Sequence, residues 1–139
     1  KNPKLIKELK RLVRTILQEK KNTGKTVSII FVNNDYIRRL NRKYLKRNRI
    51  TDVLSFSFEN DFLGEVYVSR QRAKKQAKAY GLTERGEIFR LVEHGVMHLL
   101  GYHHWPAGAG NLWHLTGDLC ALYALDLIII VICLFFSNR

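Results

Sequence analysis

Leu5, Leu9, Leu12, Val13, Ile16 and Leu17 recur three and four positions apart between lysines and arginines, the pattern of a helix with one apolar stripe. This predicts a first helix from about Pro3, a residue tolerated in the first turn, broken at Asn22 to Lys25. The pattern then changes to a β-branched run, Thr26 to Val32, bounded by Asn33-Asn34 and therefore a strand. Asp35 is placed to cap a second helix whose apolar stripe is Ile37, Leu40, Tyr44 and Leu45. Val53 to Phe58 and Gly64 to Val68 read as strands, and the short Glu59-Asn60-Asp61 link makes them antiparallel neighbours. Ser69 caps a helix running through Ala79 and stopped by Gly81; Thr83, with Glu87 nearby, opens a long helix through Leu100. The fold class predicted is α+β, helices packed on a small sheet, without internal repeats.

The chain has 139 residues, near the usual size of one domain. Its formal charge of +12 is uneven: residues 1–50 hold 16 Lys or Arg against 3 acidic residues, residues 51–104 hold 7 of each, and the rest holds one Arg and two Asp. An excess confined to the N-terminal part is the footprint of a polyanionic partner, although a solvated helix face gives the same count. On the second helix Arg38, Arg39, Arg42 and Lys43 form the polar face, continued by Lys46, Arg47 and Arg49. RNA lying along that face contacts all seven. Cys120 and Cys133 lack C-x-x-C spacing, so neither a disulfide framework nor a cysteine zinc site is expected, and a reducing cytoplasm fits. No amino-terminal run has the pattern of a signal peptide.

The strongest chemical signal is His94-Gly95-Val96-Met97-His98-Leu99-Leu100-Gly101-Tyr102-His103-His104. Residues four apart on a helix share a face, so His94 and His98 can converge on one ion at about 2.0–2.1 Å per nitrogen. Gly101 can adopt the left-handed conformation that ends a helix and sends His104 back as a third ligand. Three protein ligands and an open position are the catalytic form of a zinc site. A single helix-face histidine is more often only hydrogen-bonded; three at this spacing favour a metal. The run resembles the zinc-protease signature H-E-x-x-H-x-x-G-x-x-H, but Gly95 stands where the general-base glutamate belongs. Glu93 is one residue too early to replace it, since a helix turns about 100° per residue.

His94-Gly95-x-x-His98-Leu99-x-Gly101-Tyr102-x-His104 resembles the signature of the YbeY family of metal-dependent endoribonucleases of ribosomal RNA maturation. Thr51-Asp52-Val53-Leu54-Ser55-Phe56, preceded by Leu40-Asn41-Arg42-Lys43-Tyr44, is similar to that family's strand motif, and Leu63-Gly64-Glu65-Val66 to its next strand. The resemblance covers about residues 3 to 104. It implies a zincin-like mixed sheet, a further strand ahead of the first helix, one Zn²⁺ on His94, His98 and His104, and single-strand-specific cleavage of RNA in ribosome maturation and quality control. The implied partners are ribosomal RNA, the small ribosomal subunit and its assembly factors. Leu45 stands where the family has a catalytic Arg, which makes Arg47 the substitute for neutralising phosphate; His103 replaces an Asp just before the last ligand and becomes the proton-handling group, so that the catalytic residues implied are Arg47, His103 and the ligand His98. Ser57 and Glu65 replace a Pro and an Asp. A non-catalytic zinc-containing RNA-binding assembly protein is the alternative, a metallopeptidase the more distant one.

After His104 the resemblance stops, dividing the chain into a domain of residues 1–104 and a tail of 105–139. Trp105 to Gly110 is turn-rich, His114 reads as a surface residue, and Leu119 to Phe136 is apolar apart from Asp126. Three readings of the tail stand side by side: a buried terminal helix, a membrane anchor, or sequence appended by a change of reading frame.

Overall fold

The computed structural model describes residues 2–102. Its elements in order are α1 (Pro3–Glu19), β1 (Thr26–Val32), α2 (Asn34–Leu45), β2 (Val53–Ser57), β3 (Phe62–Ser69), α3 (Arg70–Ala79) and α4 (Glu84–Leu99). The sheet order is β1-β3-β2, with β1 parallel and β2 antiparallel to β3, so the sheet is mixed. The predicted α+β class therefore holds.

Caps fix the helix starts. The side chain of Asn33, not Asp35, accepts the Tyr36 N–H and caps α2; Asp35 sits in the first turn, where its charge favours the positive end of the helix dipole. Ser69 and Thr83 cap α3 and α4 as their sequence context predicts. Glu87 does not complete a capping box with Thr83: it is fully buried and bound to Arg90 instead.

Strand alternation separates two apolar layers. Val53, Val66 and Val68 face α1 and α4, meeting Leu9, Val13, Ile16, Leu91, Val92 and Val96 in the main core. Leu54, Phe56 and Tyr67 face the other way, onto Ile37, Leu40, Tyr44 and Leu45 of α2. Each fully buried aliphatic side chain contributes roughly 1.5–3 kcal/mol, so both layers hold the sheet firmly. Gly64 permits the β2–β3 approach: its φ is +151°, and a Cβ there would collide with the Phe56 carbonyl oxygen. None of the helices among the described residues is long and apolar enough to cross a membrane; the 119–136 run lies outside them.

Candidate metal centre and basic face

Helix α4 is seated on the sheet by its small residue. An added Cβ at Gly95 would lie 2.5 Å from Val66 Cγ1 and 3.0 Å from Ser55 Oγ, and that hydroxyl donates to the Gly95 carbonyl at 3.0 Å. The position that carries a glutamate in zinc proteases thus points into a strand contact with no room for any side chain. We expect Gly95→Ala to lower stability by about 1–3 kcal/mol through overpacking, read as a shift in urea midpoint; an unchanged midpoint would mean the sheet yields freely.

With Gly95 turned inward, His94 and His98 are brought together one turn apart. Their Nε2 atoms are 2.8 Å apart and their rings meet edge to face at 62°. That separation is a hydrogen bond between the two imidazoles, and the same two nitrogens would be the ones to hold a metal. His94 is also held in the required protonation state. Burial, and then the charge of Arg90 one turn earlier, push its pKa down to about 4, leaving a neutral imidazole at neutral pH. Two neutral imidazoles side by side fit part of a donor set for a transition metal.

That depressed pKa makes stability depend on pH in the metal-free chain. An unfolded histidine takes up its proton near pH 6.5, whereas folded His94 resists protonation until about pH 4. Its contribution is complete above pH 6.5 and is lost as pH falls toward 4. We expect metal-stripped protein to lose up to about 3 kcal/mol across that window, and His94→Gln to flatten the loss in denaturant titrations at pH 7 and 4.5.

Gly101 behaves as the sequence predicts. At φ +93° it terminates α4, its N–H donating to the His98 carbonyl (2.9 Å) and the Tyr102 N–H to the Met97 carbonyl (3.1 Å). His103 and His104 follow directly but lie outside the described residues. Among the described residues no three His, Cys, Asp or Glu side chains are grouped to hold an ion. Burial and then the charge of Glu19 in α1 raise the pKa of Glu93.

The basic residues form a separate region. Arg38, Arg39, Arg42 and Lys43 are exposed on α2, across the sheet from α4, while Lys46, Arg47 and Arg49 are exposed on the loop that leads to β2. That loop is pinned along its length. Lys46 adopts φ +58° at the end of α2, buried Asn41 donates from Nδ2 to the Arg49 carbonyl at 2.9 Å, and Arg38 Nε donates to Asn48 Oδ1 at 2.9 Å. The buried Asp52 carboxylate then accepts from the Val53 N–H, Thr51 Oγ1 and Gln76 Nε2. Thr51 and Asp52 of the strand motif are thus anchors of the loop. Leu45 is half-buried and packs against the α2 layer of the core.

Two features escape a reading of spacing alone. Arg90 and Glu87 form a buried ion pair one turn before His94, with Nε–Oε2 at 3.0 Å and Nη2–Oε1 at 2.5 Å. Their i,i+3 separation was visible, but it reads as an ordinary surface pair. Asn41 hid in the same way among the polar residues of α2.

The chain thus presents an α+β fold in which a long helix carrying a histidine pair lies on a small mixed sheet. The family model described as Endoribonuclease YbeY matches residues 1–110, and the chain belongs to that family. The protein named Endoribonuclease YbeY from Endomicrobium trichonymphae is 42% identical over 100 residues, covering 71% of each chain. Its namesake from Carboxydothermus hydrogenoformans is 41% identical over 105 residues, covering 73% of each. The solution structure of TM1509 from Thermotoga maritima superposes with a TM-score of 0.59 at 29% identity, covering 88% of this chain and 82% of that one.

Proposed function

We propose that this chain is a zinc-dependent endoribonuclease that cuts single-stranded RNA during ribosomal RNA processing, ribosome maturation and ribosome quality control in the cytoplasm. The observation that carries the reading is the convergence of the His94 and His98 Nε2 atoms, 2.8 Å apart on a helix that ends in a left-handed glycine. The family name supports RNA as the substrate of its members. Residues 1–104 make the working domain and 105–139 a distinct tail; the ribosomal small subunit and its assembly factors are the proposed partners.

In this reading His94, His98 and His104 hold the zinc. When bound, it supplies Lewis acidity that makes water acidic near neutral pH and offsets charge building at phosphorus. The protein's own residues do the rest. His94 stays neutral, so its ring is available as a ligand without first losing a proton. Arg47, on the pinned loop, neutralises a phosphate oxygen; His103, beside the last ligand, handles a proton. Arg38, Arg39, Arg42, Lys43, Lys46 and Arg49 hold the RNA backbone.

A non-catalytic RNA-binding assembly protein is the second reading, favoured by one observation: Leu45 is packed against the core and offers no guanidinium. The peptidase reading is disfavoured by the lack of space for any side chain at Gly95. The purified full chain should bind single-stranded RNA with an affinity that falls steeply with salt, cut it slowly, and leave peptides intact. Salt-insensitive RNA binding or peptide hydrolysis would refute the assignment; zinc-loaded protein that binds RNA and never cuts it would establish the scaffold.

A further inference from the structure

The outer face of α2 carries more than charge. A cavity of about 240 Å³ opens between α2 and the pinned loop, lined by Asp35, Arg38, Arg39, Arg42 and Asn48. Three guanidinium groups and one carboxylate give the cavity a net positive lining, and the Arg38–Asn48 hydrogen bond holds one wall in place. Directly beside it stands Tyr36, 42% exposed although its ring is large and apolar. Tyr36 is not loose. Its ring stacks on Tyr67 with centroids 6.3 Å apart and 22° between planes, and Tyr67 in turn meets Phe56 edge to face. The Tyr67 hydroxyl is fixed by a 2.6 Å bond to Glu65. Arg39 connects the two features: it lines the cavity and lies over the Tyr36 ring at 5.7 Å.

A half-exposed tyrosine backed by Tyr67 and overlain by Arg39, adjoining a basic cavity, has the two parts needed to hold one nucleotide of a single strand: a base stacked on the Arg39–Tyr36 pair and a phosphate among the neighbouring guanidiniums. The geometry points to a nucleotide-binding subsite at Tyr36, Arg39 and Arg42. It takes one unpaired nucleotide of a single-stranded RNA, on the sheet face opposite the α4 histidines. The proposal rests on the RNA-directed reading above and adds to it: affinity is generated on one face of the sheet and chemistry on the other. A free phosphate would satisfy the arginines but would gain nothing from Tyr36. A duplex, with its bases stacked on one another, could not use the ring. The subsite therefore selects for single strands.

The test uses the full chain and a fluorescently labelled 20-nucleotide single-stranded RNA, with anisotropy followed at several salt concentrations. Tyr36→Leu should weaken binding at least about fivefold, the low end for loss of one stacked base, while leaving the salt slope unchanged. Tyr36→Phe should restore wild-type binding, which separates stacking from any effect on the fold. Arg42→Gln should lower the slope of log affinity against log salt by about 0.7, one phosphate contact on a single strand. None of the three should alter the metal content of the chain. RNA bound equally well by wild type and Tyr36→Leu, with the arginine variant still weaker, would overturn the subsite and leave only a diffuse basic surface. Inorganic phosphate that displaces the RNA from wild type and Tyr36→Leu equally would overturn it as well. Failure of the wild type itself to bind RNA would overturn the RNA-directed reading and this proposal together.

Discussion

His98→Ala should empty the metal site and abolish RNA cleavage. His98 is buried and its Nε2 faces that of His94, so its loss leaves at most one ligand on the described part of α4. Mutating an outer-shell partner of a metal ligand commonly costs 10–100-fold in affinity or activity; removing the ligand itself should cost more than about a hundredfold in both. Because metal-binding free energy is also folding free energy, the variant should melt earlier than zinc-loaded wild type and close to the metal-stripped protein. Metal content by mass spectrometry and melting with and without chelator check both expectations. A variant that retains one metal per chain would show that these histidines serve the fold alone.

Arg90→Met should be the most destabilising single change near the site. Glu87 is fully buried, and Arg90 binds both of its carboxylate oxygens. Removing the guanidinium leaves a buried carboxylate without its counter-charge, which typically costs 3–5 kcal/mol. In a domain of this size that corresponds to a fall in melting temperature of about 15 °C or more. Replacing both partners, as Glu87→Leu with Arg90→Met, should recover most of the loss, because a well-packed apolar pair avoids the desolvation of two charges. The double variant also removes the Arg90 charge that helps hold the His94 pKa down, so its metal-free form should lose less stability between pH 6.5 and 4 than wild type does. Thermal melts of the three variants decide this; a double variant as unstable as Arg90→Met would mean that shape, not charge, holds the pair.

Much of this was legible in the sequence because the signals were periodic. The apolar stripe of α1, the β-branched run of β1, and the Ser69, Thr83, Gly81 and Gly101 stops each state a local preference that packing did not override. The convergence of His94 and His98 followed from helical spacing alone. What escaped depended on which side of an element faces what. Asn33 rather than Asp35 caps α2 because the two neighbours have similar capping chemistry and only the entry angle chooses between them. Gly95 reads as a missing glutamate, whereas it is a point of contact with Val66 and Ser55 contributed by distant strands. Glu87 and Arg90 look like a solvated pair, yet the folded chain buries both. The basic residues of α2 and the histidines of α4 lie on opposite faces of the sheet, a separation that no one-dimensional charge count contains.

We propose that the histidine site on α4 makes this chain a metal-dependent nuclease. It is tested most directly by purifying the full chain anaerobically, counting its metal, and measuring cleavage of a single-stranded RNA on the same sample before and after chelation and zinc return. About one zinc ion per chain is expected, with slow cleavage that disappears with the metal and returns with it, and neither metal nor cleavage in His98→Ala. Cleavage that persists in the metal-free sample, or a fully zinc-loaded chain that leaves the RNA intact, would contradict it.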